Sequence, residues 1–135
     1  MLTGSLRDVG QKGQGPSLQT WDLGTGKAIA EVPWDLSVRY PEPCPIFTAQ
    51  FSKGDQPLFL AAGGSKANEC RVFDYGRKGA LISVLEFSDP VLTVDFAPAG
   101  DDATLLAVGG SDGSLHVFEV KDKMEEDDDA FFEDL

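Results

Sequence analysis

A single histidine, two cysteines and only 11 lysines and arginines stand among the 135 residues. His116 has no Cys, His or carboxylate at ligand spacing, so no metal site is expected. Cys44, in a proline-flanked loop, and Cys70, in a strand-like run, form neither a ligand pair nor a disulfide framework, and a reducing compartment is the simpler reading. With 23 acids the net charge is −12. A nucleic-acid partner calls for clustered Lys and Arg that displace counterions from phosphates, and this chain has no such cluster. No apolar run approaches the roughly 20 residues that cross a bilayer, and no basic-then-apolar signal segment follows Met1. The chain therefore reads as cytoplasmic, with no membrane contact. No stretch carries a convincing helical pattern.

What the chain does have is a repeated β-hairpin. In LLAVGGSDGSLHVFEV, Leu105 to Val120, two β-rich runs flank Asp112-Gly113, a strong hairpin signal, and a tight type I′ turn with φ > 0 at both central residues is expected there. The stretch Leu58 to Tyr75 repeats it: Ala62-Gly63-Gly64-Ser65 matches Val108-Gly109-Gly110-Ser111, and Phe73-Asp74 matches Phe118-Glu119. A looser third copy opens the chain, with Leu2-Thr3-Gly4-Ser5 followed by Leu18-Gln19-Thr20-Trp21-Asp22. The strands before the hairpins repeat as well, Phe47 to Phe51 against Leu92 to Phe96. From Phe51 to Phe96 and from Phe73 to Phe118 the offset is 45 residues. An offset kept across separate elements marks an internal repeat.

Strands are expected at Leu2 to Ser5, Leu18 to Leu23, Ala28 to Trp34, Ile46 to Phe51, Leu58 to Ala62, Glu69 to Asp74, Ala80 to Phe87, Val91 to Phe96, Thr104 to Val108 and Leu115 to Val120, joined by turns rich in Gly, Asn, Asp and Ser. The polar Leu6 to Ser17 reads as a surface insertion within the first hairpin. Asp35 to Pro45, with Pro41, Pro43 and Pro45, reads as a stiff link between units. Three units result: an incomplete one over 1–34, a full four-stranded one over 46–87 and a three-stranded one over 91–120. Residues 121–135 form a separate acidic tail.

Short matches to catalytic motifs do not hold together. Gly109-Gly110-Ser111-Asp112-Gly113 fits G-x-S-x-G, but a nucleophile elbow leads into a helix and needs an acid and a histidine later in the chain. Gly24-Thr25-Gly26-Lys27 lacks both the first glycine and the hydroxyl of a phosphate loop. No catalytic, cofactor-binding or metal-ligating residue is assigned. The tail, MEEDDDAFFEDL, carries seven acids and no base over Met124 to Leu135, and self-repulsion should keep it disordered. Phe131, Phe132 and Leu135 at its end are the candidate partner-binding residues, apolar anchors for a groove with a basic rim.

The period, Trp21-Asp22 in LQTWDLGTGK, the strand and turn VLTVDFAPAGD and the hairpin SDGSLHVFE together resemble WD repeats over residues 1 to 120. The resemblance implies an all-β fold, part of a β-propeller built of antiparallel four-stranded blades. It also implies a buried network of Gly-His histidine, strand Ser or Thr, turn Asp and Trp. Here Trp21, Thr3 and Asp112 supply residue types for it, from different units, and no Gly-His dipeptide exists. Phe73 and Phe118 take the Trp position in the other units, and Phe118 is expected to be buried between blades. Three, four and three strands close no ring, and open sheets leave unpaired edges. The resemblance thus implies a non-catalytic scaffold that holds protein partners in a larger complex, of the cytoskeletal, ciliary or signalling kind. Further blades, other copies of the chain or another chain would complete the ring. A fragment of a longer propeller with no independent role, or a propeller enzyme with its site at the channel, are the alternatives.

Overall fold

In the computed structural model, residues 1–4, 18–34, 44–77, 79–100 and 104–121 are described. They form ten strands and one 3-10 turn, with no α-helix among the described residues. The strands are β1 (Leu2–Gly4), β2 (Leu18–Asp22), β3 (Lys27–Val32), β4 (Ile46–Phe51), β5 (Phe59–Gly64), β6 (Glu69–Asp74), β7 (Ala80–Glu86), β8 (Val91–Phe96), β9 (Thr104–Gly110) and β10 (Leu115–Val120). They pair into three antiparallel sheets in the orders β1-β2-β3, β4-β5-β6-β7 and β8-β9-β10. The protein is all-β, and within each sheet every strand pairs with its neighbours in sequence, as apolar alternation interrupted by turn residues favours.

Adjacent sheets bury the faces they turn toward each other. Between the second and third sheets lie Phe59, Ala61, Cys70 and Val72 on one side and Val91, Val94, Phe96, Leu106 and Val108 on the other. Between the first and second lie Leu18 and Val32 opposite Ile46, Leu60, Ala62 and Phe73, with Trp34 and Cys44 closing the end. The middle sheet is covered on both faces, which is why all six residues of β5 and all six of β6 are buried. Two-sided burial explains the unbroken apolar run of β5.

The repeat is kept residue by residue. Thr48 opposes Gly63 as Thr93 opposes Gly109, and Leu60 opposes Phe73 as Leu106 opposes Phe118. One residue in each first strand, Phe47 or Leu92, stands out of register between paired neighbours. Both are exposed. β5 and β9 run to the second glycine of their Gly-Gly pair, two residues beyond the expected ends, because these bulges bring Ile46 and Val91 opposite that glycine. At the start of the chain Gly4 takes the place of Gly63, one residue from the alignment read in the sequence, since Gly4 opposes Leu18 as Gly63 opposes Cys70. A Cβ on Gly4 would lie within 2.5 Å of Ile46 Cγ2, and one on Gly63 within 2.7 Å of Val91 Cγ1, so the absent side chain lets the following sheet approach.

The β9–β10 turn differs from the type I′ expectation. The Gly113 amide donates to Gly110 O at 3.1 Å and the Gly110 amide to Ser114 O at 3.0 Å. Of Asp112 and Gly113 only Gly113 has a positive φ, +82°. This is a three-residue loop, a type I turn closed by a left-handed glycine. The Asp112 carboxylate decides it by accepting from the amide and hydroxyl of Ser114 at 3.0 and 2.6 Å, which ties the turn down with Asp112 at negative φ.

Candidate functional site

The outer faces of the first and third sheets are the candidate interaction surfaces. On the third sheet, strand alternation places Thr93, Asp95, Leu105, Ala107, Gly109, Leu115, Val117 and Glu119 together on one face. By pairing position these correspond to Thr48, Gln50, Phe59, Ala61, Gly63, Cys70, Val72 and Asp74 of the second sheet. That face of the second sheet is the one the third sheet covers. On the third sheet it stands open, with Leu105 41%, Leu115 69% and Val117 61% exposed.

Polar positions repeat with it. The Val94 amide of β8 donates to Thr48 Oγ1 of β4 at 3.2 Å, a hydrogen bond from one sheet to the next. Thr93 holds the corresponding place on the third sheet and is exposed. Lys53 crosses the same boundary to Asp95 at 3.1 Å, but both ends are solvated and the pair contributes at most about 1 kcal/mol.

On the outer face of the first sheet, Trp21 Nε1 donates to Thr3 Oγ1 at 2.9 Å, and the Thr3 hydroxyl lies 3.4 Å from Gln19 O as a donor. The structure thus joins two residues that the sequence shows well apart. Asp112 remains distant from them in its own turn. Trp21 and Phe73 hold matching positions, yet Phe73 is buried by the first sheet while Trp21 is only half-buried. Phe118 is half-buried as well, packed 6.2 Å from Phe87, because its strand lies at the edge of the third sheet.

Between the first two sheets sits a charged cluster that composition did not reveal. Arg71 Nε donates to Glu69 Oε1 at 2.7 Å, both side chains are 1% exposed, and the Arg71 guanidinium lies 4.4 Å from the centre of the Trp34 ring. Residues two apart on a strand share a face, so the pair is built into the register of β6. Glu69 Oε2 and Trp34 Nε1 have no hydrogen-bond partner among the described residues. Nearby, burial pushes the thiols of Cys44 and Cys70 up to about 12, with the negative charge of Glu69 adding to it. Both cysteines are free and buried. An i, i+2 acid and base in an otherwise apolar strand was the available signal for the cluster.

Ser111 of the G-x-S-x-G match lies in the β9–β10 turn and leads into a strand, so the strand-to-helix geometry of a nucleophile elbow is not formed. Gly24-Thr25-Gly26-Lys27 runs through the β2–β3 turn into the first residue of β3, with Gly26 at φ +69° and the Gly24 amide donating to Asp22 Oδ1 at 2.8 Å. His116 packs against Phe87 and Phe118, with ring centres 5.4 and 6.2 Å apart. Among the described residues no three His, Cys, Asp or Glu are grouped to hold a metal ion, and no helix is long and apolar enough to cross a membrane. Phe131, Phe132 and Leu135, the insertion at 6–17 and most of the proline-rich link lie outside the described residues.

Fold and surfaces together define an all-β protein of three stacked antiparallel sheets with an unfilled face at each end of the stack. No protein-family model matches the chain, and no curated relative matches it.

Proposed function

We propose that the chain is a non-catalytic protein-interaction scaffold, a segment of a WD-repeat-like β-propeller. It completes a ring with further sheets, supplied by other copies or by another chain, and holds partner proteins in a larger complex. The observation that carries this reading is the open face of the third sheet, which repeats the covered face of the second position by position. Covering Leu105, Leu115 and Val117 would remove apolar surface from water at about 25 cal/mol per Å², and an amide from the next sheet would meet Thr93 as Val94 meets Thr48. The resemblance adds the expectation of a cytoplasmic complex of the cytoskeletal or ciliary kind.

Light scattering on the full 135-residue chain at several concentrations tests it. A stable assembly of two or three copies, reduced to single chains by Leu115→Lys with Val117→Lys, is the outcome for ring closure between identical chains. A monomer that melts without cooperativity points instead to missing sheets from a longer protein or a partner. A monomer with a sharp cooperative melt overturns the reading, because three open-ended sheets would then be complete as they stand.

A further inference from the structure

A cleft of about 220 Å³ opens between the second and third sheets, where the β7–β8 connection meets the β9–β10 turn. Phe87, His116 and Phe118 wall it, and Glu86, Asp89 and Asp112 line it. Its frame is fixed by the Ser111 amide donating to Pro90 O at 2.9 Å and by Asn68 Nδ2 donating to Ser88 O at 3.2 Å.

Among the described residues the same architecture occurs again between the first two sheets, in a filled state. The Ser65 amide donates to Pro45 O at the end of the β4–β5 pair as the Ser111 amide donates to Pro90 O at the end of the β8–β9 pair. Trp34 lies 6.1 Å from Phe73, as Phe87 lies 6.2 Å from Phe118. Arg71 and His116 are cross-strand partners of Ala62 and Val108, which hold matching places in β5 and β9. In the filled copy the Arg71 guanidinium stacks on the indole of Trp34 and pairs with Glu69. In the open copy the two matching positions carry the shorter Ser114 and His116; the imidazole lies 5.4 Å from the centre of the Phe87 ring, and the remaining space beside Phe87 and Phe118 is the cleft.

We propose that this cleft takes the guanidinium of an arginine presented by a partner protein, stacked on Phe87 and paired with the carboxylates at the rim. An aromatic face next to carboxylates is the chemistry that recognises a planar cation. The charges agree: Asp89 and Asp112 line the cleft, no Lys or Arg lines it among the described residues, and the Ser114 hydroxyl and amide hold the Asp112 carboxyl below the usual carboxylate range, so it is anionic at neutral pH. The inference rests on the scaffold reading above and names its partner chemistry. The cleft is built by two sheets of one chain, so its test stands whether or not a ring closes.

The test is a titration of the full chain with N-acetyl-glycyl-arginyl-glycine amide, followed by amide and side-chain NMR shifts. Saturable shifts at Phe87, Asp112, His116 and Phe118 are expected, weaker with the lysine peptide. Asp112→Asn keeps an oxygen acceptor for Ser114 and thus the turn, and it should weaken binding about fivefold. Ser114→Glu with His116→Arg rebuilds the Glu69 and Arg71 pair inside the cleft and should abolish the shifts there. Shifts confined to the acidic tail, or cleft shifts that neither variant alters, overturn the proposal. If the double variant fails to fold, Asp112→Asn and Asp89→Asn, both outside the core, decide the question alone.

Discussion

Gly113 and the Glu69–Arg71 pair show how much of the stability rests on single positions. Gly113 has φ +82°, where a β-branched side chain is strained whatever space surrounds it. Gly113→Val is therefore expected to destabilise by about 1 kcal/mol or more, read as a lower midpoint in urea unfolding. Arg71 and Glu69 are held out of water together, and their attraction offsets a desolvation cost that neither bears alone. Arg71→Met should cost about 3 to 5 kcal/mol by leaving Glu69 buried without its cation, whereas Arg71→Met combined with Glu69→Leu should cost much less. The cysteines bring a pH dependence. Their folded thiols titrate near 12 against an ordinary value of 9.0. Between those values the folded state keeps protons that the unfolded state has lost, so stability is full below about pH 9 and falls as pH rises toward 12. Urea midpoints at pH 8, 9.5 and 10.5 should decline in that order, and Cys44→Ala with Cys70→Ala should flatten the decline.

At the scale of strands, β4 and β8 join the sheets and β10 leaves one open. The hydrogen bond from the Val94 amide to Thr48 Oγ1 connects first strands of adjacent sheets, which share no backbone ladder. Thr48→Val preserves the shape and removes the acceptor, and a loss of about 1 kcal/mol in chemical unfolding is the expected result. The edge strand β10 explains why Phe118, equivalent to the buried Phe73, stays half-exposed: β7 covers the flank of β6, and no described strand pairs beyond β10. Strand positions were legible because apolar alternation and turn residues act locally. The type of the β9–β10 turn was not, since Asp-Gly serves both a type I′ turn and a type I turn with a left-handed glycine, and the side-chain contacts of Ser114 with Asp112 choose between them.

For the molecule as a whole, the two end faces matter most. A stack with a covered middle sheet and two open faces is expected to associate through those faces, and the native mass with and without Leu115→Lys and Val117→Lys reads that directly. These side chains are 69% and 61% exposed in the single chain, so their replacement should lower the mass without lowering the stability of the monomer by more than about 0.5 kcal/mol.

The amino-acid sequence alone determined the all-β class, the order and approximate limits of the strands and the 45-residue repeat, because hydrophobic period and turn chemistry are properties of neighbouring residues. The tertiary structure decided which repeated face is covered and which is open, that Trp21 meets Thr3, and that Arg71 stacks on Trp34 while the matching cleft beside Phe87 stays unfilled. Those relations join residues on different strands and sheets, and only the packing of one sheet on another sets their distances.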